Sequence, residues 1–136
     1  MIATIFDTGP VVAFLDGSDT HHDECVELMK NLSGRRLLPV TVLVEVCWLL
    51  EDHPEIEASF LEAVASGAFE LLSLGNADVL RISELVRQYA DMPLGAVDAS
   101  VVTLAERLEI QQVATLDRRH FSVIRPCHID ALTLLP

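Results

Sequence analysis

At 136 residues the chain has room for one domain with a substantial core and not for two. Apolar residues make up 51% and mean hydropathy is +0.39, slightly above the usual soluble range, so some apolar surface should be covered by a partner and a homodimer is expected. A net charge of −12 with Lys30 as the one lysine excludes broad electrostatic binding to nucleic acid, leaving only a local role through a metal-filled acidic pocket and arginines such as Arg118, Arg119 and Arg125.

Thr4 to Asp7 is a β-branched and aromatic run ending in Thr-Gly-Pro, which predicts a buried strand followed by a helix from Pro10 to Leu15. After the turn at Gly17-Ser18-Asp19, a second helix is expected from Thr20 to Leu32, and Arg35 to Pro39 reads as a second strand. The helix after Pro39 carries Glu45. Val42, Val46, Leu49 and Leu50 repeat there at helical spacing, so Glu45 projects from the buried stripe. A helix from Pro54 to Ser66 stops at Gly67, and Phe69 to Leu74 gives a third strand. Ala77 to Tyr89 is amphipathic, with Val79, Leu80, Ile82, Leu85 and Val86 set against Arg81, Glu84 and Arg87. Met92 to Gly95 breaks the chain before a largely buried helix from Ala96 to Leu108. A strand at Gln112 to Thr115, a helical turn at Arg118 to Phe121 and a last strand near Ala131 to Leu135 complete the series. This alternation predicts an α/β fold, a central parallel sheet between two helical layers.

Asp7, Glu45, Asp98 and Asp117 stand in otherwise apolar stretches: ATIFDTGPVVAFL, VLVEVCWLL, LGAVDASVVTLA and VATLD. Any one of them reads as a helix cap or turn residue. All four together point to a site, because a carboxylate in such company is costly to desolvate without an offsetting partner. In parallel sheets ligands gather beyond the carboxyl ends of strands, where Asp7 and Asp117 fall, with Asp98 at a helix start on the same edge. Such a cluster cannot stay fully ionised without a cation, and oxygen donors favour Mg2+ or Mn2+.

The other motifs carry less. Three cysteines without CxxC spacing fit a reducing compartment. No apolar run approaches the roughly 18 residues needed to cross a bilayer, and the N-terminus lacks a basic flank and cleavage site, so no membrane association and a cytoplasmic location are expected. His21, His22 and Cys25 lack the further ligands zinc wants, and read as a partly exposed helix start. Cys127-His128 lacks an orienting third residue. Trp48 and Phe60 are expected in core or dimer contacts. A haloacid-dehalogenase phosphatase needs a second Asp where Gly9 stands, and a receiver domain needs a buried lysine that Lys30 does not supply.

The segments FDTGPVVAFLDGSDTHH, PVTVLVEVCWLL, LGAVDASVVTLAERL and ATLDRRHFSVIRP resemble the PIN-domain family, and more narrowly the VapC-type toxin ribonucleases of toxin–antitoxin pairs. The resemblance runs nearly end to end, so residues 1–136 are expected to form a single PIN domain. It implies that Asp7, Glu45, Asp98 and Asp117 bind Mg2+ or Mn2+ and catalyse hydrolysis of RNA phosphodiester bonds. It also implies that Thr115 is the hydroxyl residue two before the last acid, and that a cognate antitoxin exists. Thr8 and Ser100 adjoin the acids, where a hydroxyl can orient a carboxylate or a bound water. Many relatives carry an acid where this chain has His120. The alternative is a catalytically inactive PIN-like binding or regulatory module.

Overall fold

The computed structural model describes residues 2–136. Among them are five strands, β1 (Ala3–Phe6), β2 (Arg35–Pro39), β3 (Glu70–Leu72), β4 (Gln112–Ala114) and β5 (Thr133–Leu135), all parallel and ordered β3-β2-β1-β4-β5. Seven helices connect and flank them: α1 (Thr8–Leu15), α2 (His22–Asn31), α3 (Val40–Leu49), α4 (Pro54–Ala65), α5 (Asn76–Gln88), α6 (Ala96–Leu108) and α7 (Arg118–Phe121). The expected three-layer α/β architecture is the one formed. No helix among the described residues is long and apolar enough to cross a membrane.

All four residues of β1 are buried, as a central parallel strand covered on both faces requires. Strand order reverses at β1: the chain first builds β2 and β3 on one side, then β4 and β5 on the other. The β1–β4 seam, where Phe6 pairs with Ala114, is therefore the switch point beyond whose carboxyl end a parallel sheet opens a crevice. Against β1 and β2 packs α6, buried without interruption from Ala99 to Ala105.

The expected elements all form, with shifted ends. Helix α1 starts at Thr8, two residues before Pro10, because Pro10 needs no helical N–H partner in the first turn. At the other expected starts and stops, α2 and α5 begin or end within two residues of the sequence reading, and β3 and β5 are shorter.

Helix α5 departs from its expected orientation. Leu85 is buried and Ile82 half-buried, but Val79, Leu80 and Val86 are exposed. The cause lies on its other face, where Asp78 and Arg81 turn toward α6. Arg81 donates to both Glu106 oxygens at 2.8 and 2.9 Å, and Arg107 donates to Asp78 at 3.1 Å. Polar stitching between α5 and α6 thus rotates apolar side chains outward. Phe60 is core, packed edge-on to Phe69, whereas Trp48 is 67% exposed and is no core residue.

Candidate active site

Four elements deliver the four acids to the switch point. Asp7 leaves β1 with its N–H donated to Ala114 of β4 at 2.9 Å, which fixes it at the seam. It occupies the cap position of α1, yet its side chain makes no capping bond. The carboxylate instead accepts from the Thr115 hydroxyl at 2.8 Å. That hydroxyl in turn accepts the Asp117 N–H at 3.0 Å. One buried threonine therefore orients both strand-end acids, and its own N–H is anchored to Leu135 of β5 at 2.8 Å.

Asp98 lies in the first turn of α6 and Asp117 at the start of α7. The Asp117 carboxylate accepts the His120 N–H at 3.1 Å through one oxygen and pairs with His120 Nδ1 at 2.7 Å through the other. Glu45 rises half-buried between the fully buried Val42 and Val46 of α3. The tightest group comprises Asp98, Asp117 and His120, one ligand atom of each lying within 4.8 Å of the others. Asp7 and Glu45 stand outside that group and act on it through their charge.

The electrostatics record this convergence. Burial first, then the charges of Asp7, Asp117 and Glu45, push Asp98 up to about 7, with His120 opposing. Burial also raises Asp7, against hydrogen bonds from Thr115 and the Thr8 backbone, and Glu45 and Asp117 raise it further. Burial and the neighbouring carboxylates thus raise both Asp7 and Asp98, and a hard divalent cation would offset that crowding of negative charge. The donor set, mainly carboxylate oxygens with one imidazole, fits such an ion.

The hydroxyl candidates separate. Thr115 touches the acids directly. Ser100 does not: its hydroxyl donates to the Val97 carbonyl at 2.6 Å and shares a 2.6 Å bond with Thr41. Thr41 lies one helical turn before Glu45, so this pair ties α3 to α6 behind the two acids they carry. Sequence reasoning missed Thr41, although its i, i+4 spacing from Glu45 was the available signal. The Thr8 hydroxyl is buried without a hydrogen-bond partner. Arg118 donates to the carbonyls of Pro136 and, at 3.5 Å, Leu134, while Arg119 is exposed.

The minor motifs stay apart from the acids. His21 pairs with Glu24, His22 donates to the Ala13 carbonyl at 2.8 Å, and Cys25 is buried. His128 donates to the Ile110 carbonyl at 2.7 Å, and hydrogen bonding to Glu106 raises the Cys127 thiol, the opposite of nucleophile activation. All three cysteines are free.

Comparison with known proteins agrees with this geometry. The pattern that defines the PIN domain family matches residues 4–125. Over 134 residues, 97% of this chain and 99% of its relative, the sequence is 31% identical to ribonuclease VapC26 of Mycobacterium tuberculosis. Among solved structures, VapC20 of the same species, described as a toxin that cleaves the sarcin–ricin loop, aligns with a TM-score of 0.74 at 18% identity, covering 81% of this chain and 86% of that one. A chain of the toxin–antitoxin complex from Klebsiella pneumoniae aligns with a TM-score of 0.71 at 15% identity, covering 96% and 99%. The structural likenesses speak for the fold, while the family pattern and the near full-length identity speak for descent: the chain belongs to the PIN-domain family, among its VapC-type members.

Proposed function

We propose that this chain is a divalent-metal-dependent endoribonuclease, the toxin of a toxin–antitoxin pair. The observation that carries the reading is the gathering of Asp7, Glu45, Asp98 and Asp117 from four elements at the switch point, close enough that the charges of the other three add to burial in pushing Asp98 up to about 7. These four would hold the ion, Mg2+ or Mn2+. When bound, it supplies charge relief to a phosphodiester and lowers the pKa of water.

The chain's own residues perform the rest. Thr115 keeps Asp7 and Asp117 aimed together, and the Thr41–Ser100 bond keeps Glu45 and Asp98 in register. Asp98 holds a proton part of the time at neutral pH, and gives it up when a cation loads. With so few basic residues, Arg118 and Arg119 beside Asp117 are the local groups offered to phosphates of the RNA.

Three features support the partners. The resemblance to the Klebsiella complex supports an antitoxin, and a groove of about 440 Å3 lined by Val11, Phe14, Leu15, Met29 and Ile56 offers it an apolar seat. A lysine or arginine of the antitoxin reaching the carboxylates would satisfy the same charge deficit as the metal. Exposed apolar faces on α3 and α5 support the homodimer.

The test is cleavage of a labelled single-stranded RNA pool by purified protein with Mg2+ or Mn2+, against excess chelator and against Asp98→Asn. Cleavage confined to the metal-loaded wild type is expected. Full-rate cleavage in chelator, or by Asp98→Asn, would overturn it, and metal binding without any cleavage would favour the inactive PIN-like module.

A further inference from the structure

Resting on the metal-site reading above, we propose that His120 is itself a metal ligand, making with Asp98 and Asp117 a mixed nitrogen–oxygen site that selects Mn2+ over Mg2+. The geometry singles out this residue. The tightest cluster of donor atoms among the described residues is not the four acids but Asp98, Asp117 and His120, within 4.8 Å of one another. The imidazole is not needed to close the first turn of α7. The Asp117 carboxylate already caps the turn by accepting the His120 backbone N–H at 3.1 Å, so the ring's own 2.7 Å bond to the other carboxylate oxygen is additional. With its side chain 22% exposed, the ring is neither sealed in the core nor swinging in solvent. It lies on the same edge as Asp98, the other carboxylate of the cluster.

An imidazole in that place changes which ion the pocket prefers. Mg2+ takes oxygen ligands, sheds water reluctantly and gains little from a neutral nitrogen. Mn2+ accepts carboxylates equally well and binds imidazole more readily, as first-row ions do. Substituting nitrogen for one oxygen also leaves the site with one negative charge fewer, which costs the strongly hydrated Mg2+ most.

Pulsed electron paramagnetic resonance on the Mn2+-loaded full chain reads the bond directly. Wild type should show the nitrogen hyperfine coupling of a coordinated imidazole, and His120→Gln, which keeps the backbone cap and an amide for Asp117, should lose it. Calorimetric titrations with Mn2+ and Mg2+ supply the selectivity. The Mn2+ to Mg2+ affinity ratio should fall about tenfold in His120→Gln, the scale on which loss of a metal-site partner acts, and His120→Asp should bind Mg2+ more tightly than wild type. Wild type without nitrogen coupling, coupling that survives in His120→Gln, or a ratio unchanged in both variants would overturn the role of His120 while leaving the metal site standing. Failure of wild type to bind either ion saturably would overturn both.

Discussion

Thr115 is the residue on which the geometry of the site turns, because its one hydroxyl serves two acids from two strands. Replacing it by Val removes a donor to Asp7 and an acceptor for the Asp117 N–H without changing the side-chain shape. Thr115→Val should lower turnover by about tenfold to a hundredfold, the range for groups that orient metal-binding side chains, and cost about 2 kcal/mol in urea unfolding from the two partners left unpaired. Thr115→Ser should recover most of both; a Val variant with wild-type turnover would remove this role. Asp98 sets a pH signature of opposite sense to ordinary acid unfolding. Its folded pKa, raised to about 7 from 3.8, means that the folded state binds more protons than the unfolded one in between. In chelator, stability should therefore fall as pH rises from about 4 to about 7, and Asp98→Asn should flatten the slope. Mg2+ or Mn2+ should stabilise more strongly above that window than within it, since the ion needs the ionised form. Thermal melts across pH with and without metal check this, and equal slopes in wild type and Asp98→Asn would refute it. The positions of the four acids were legible because each interrupts an apolar run. Thr41 was harder to read, since its spacing from Glu45 gains meaning only once the fold brings Ser100 against it.

Among the elements, those whose pattern is dictated by burial were read well and those whose orientation is set by paired charges were not. Strand β1 and helix α6 announce themselves by predominantly apolar runs. Helix α5 was misread because periodicity weighs Val79 and Leu80 as inward residues, and nothing local reveals that Asp78 and Arg81 have partners in Arg107 and Glu106, more than twenty residues away. That stitching has a measurable consequence. Burial alone would raise Glu106, but Arg81 and the Cys127 N–H outweigh it and hold the carboxyl at about 2. A depressed acid contributes stability above its unfolded pKa of 4.5 and loses it as pH falls toward 2. Glu106→Gln should thus cost about 2 kcal/mol at neutral pH, where it leaves Arg81 short of its partner, and progressively less below pH 4. A deficit independent of pH in denaturant melts would argue against the ion pair. The entry to β2 depends on backbone shape instead. Gly34 has φ 88°, and an added methyl carbon would lie 2.1 Å from the Ile2 carbonyl oxygen that accepts the Arg35 N–H. Gly34→Ala should cost on the order of 2 kcal/mol by displacing β2 from β1, read as a lowered urea midpoint with unchanged slope. An unchanged midpoint would show that the turn relaxes freely.

At the scale of the molecule, the high apolar content is explained by where the apolar side chains end up. The core takes its share, but Val44, Trp48 and Leu49 on α3 and Val79 and Leu80 on α5 are each at least half exposed, at 60, 67, 50, 56 and 69%. Monomers seldom leave such faces in water, and a two-fold interface buries the same patch on both partners. The free chain should therefore scatter light as twice its 15.0 kDa mass. Trp48 is the one tryptophan, so its emission reports on the α3 face alone. Dilution that dissociates the dimer should shift that emission to the red as the indole enters water. Trp48→Glu combined with Leu80→Asp should give a monomer whose far-ultraviolet circular dichroism is unchanged, since neither side chain belongs to the core. Wild type that scatters as a monomer at micromolar concentration would refute the dimer. A dimer with fully solvated Trp48 emission, or one that survives the double substitution, would place the interface elsewhere and leave these helix faces open to another partner.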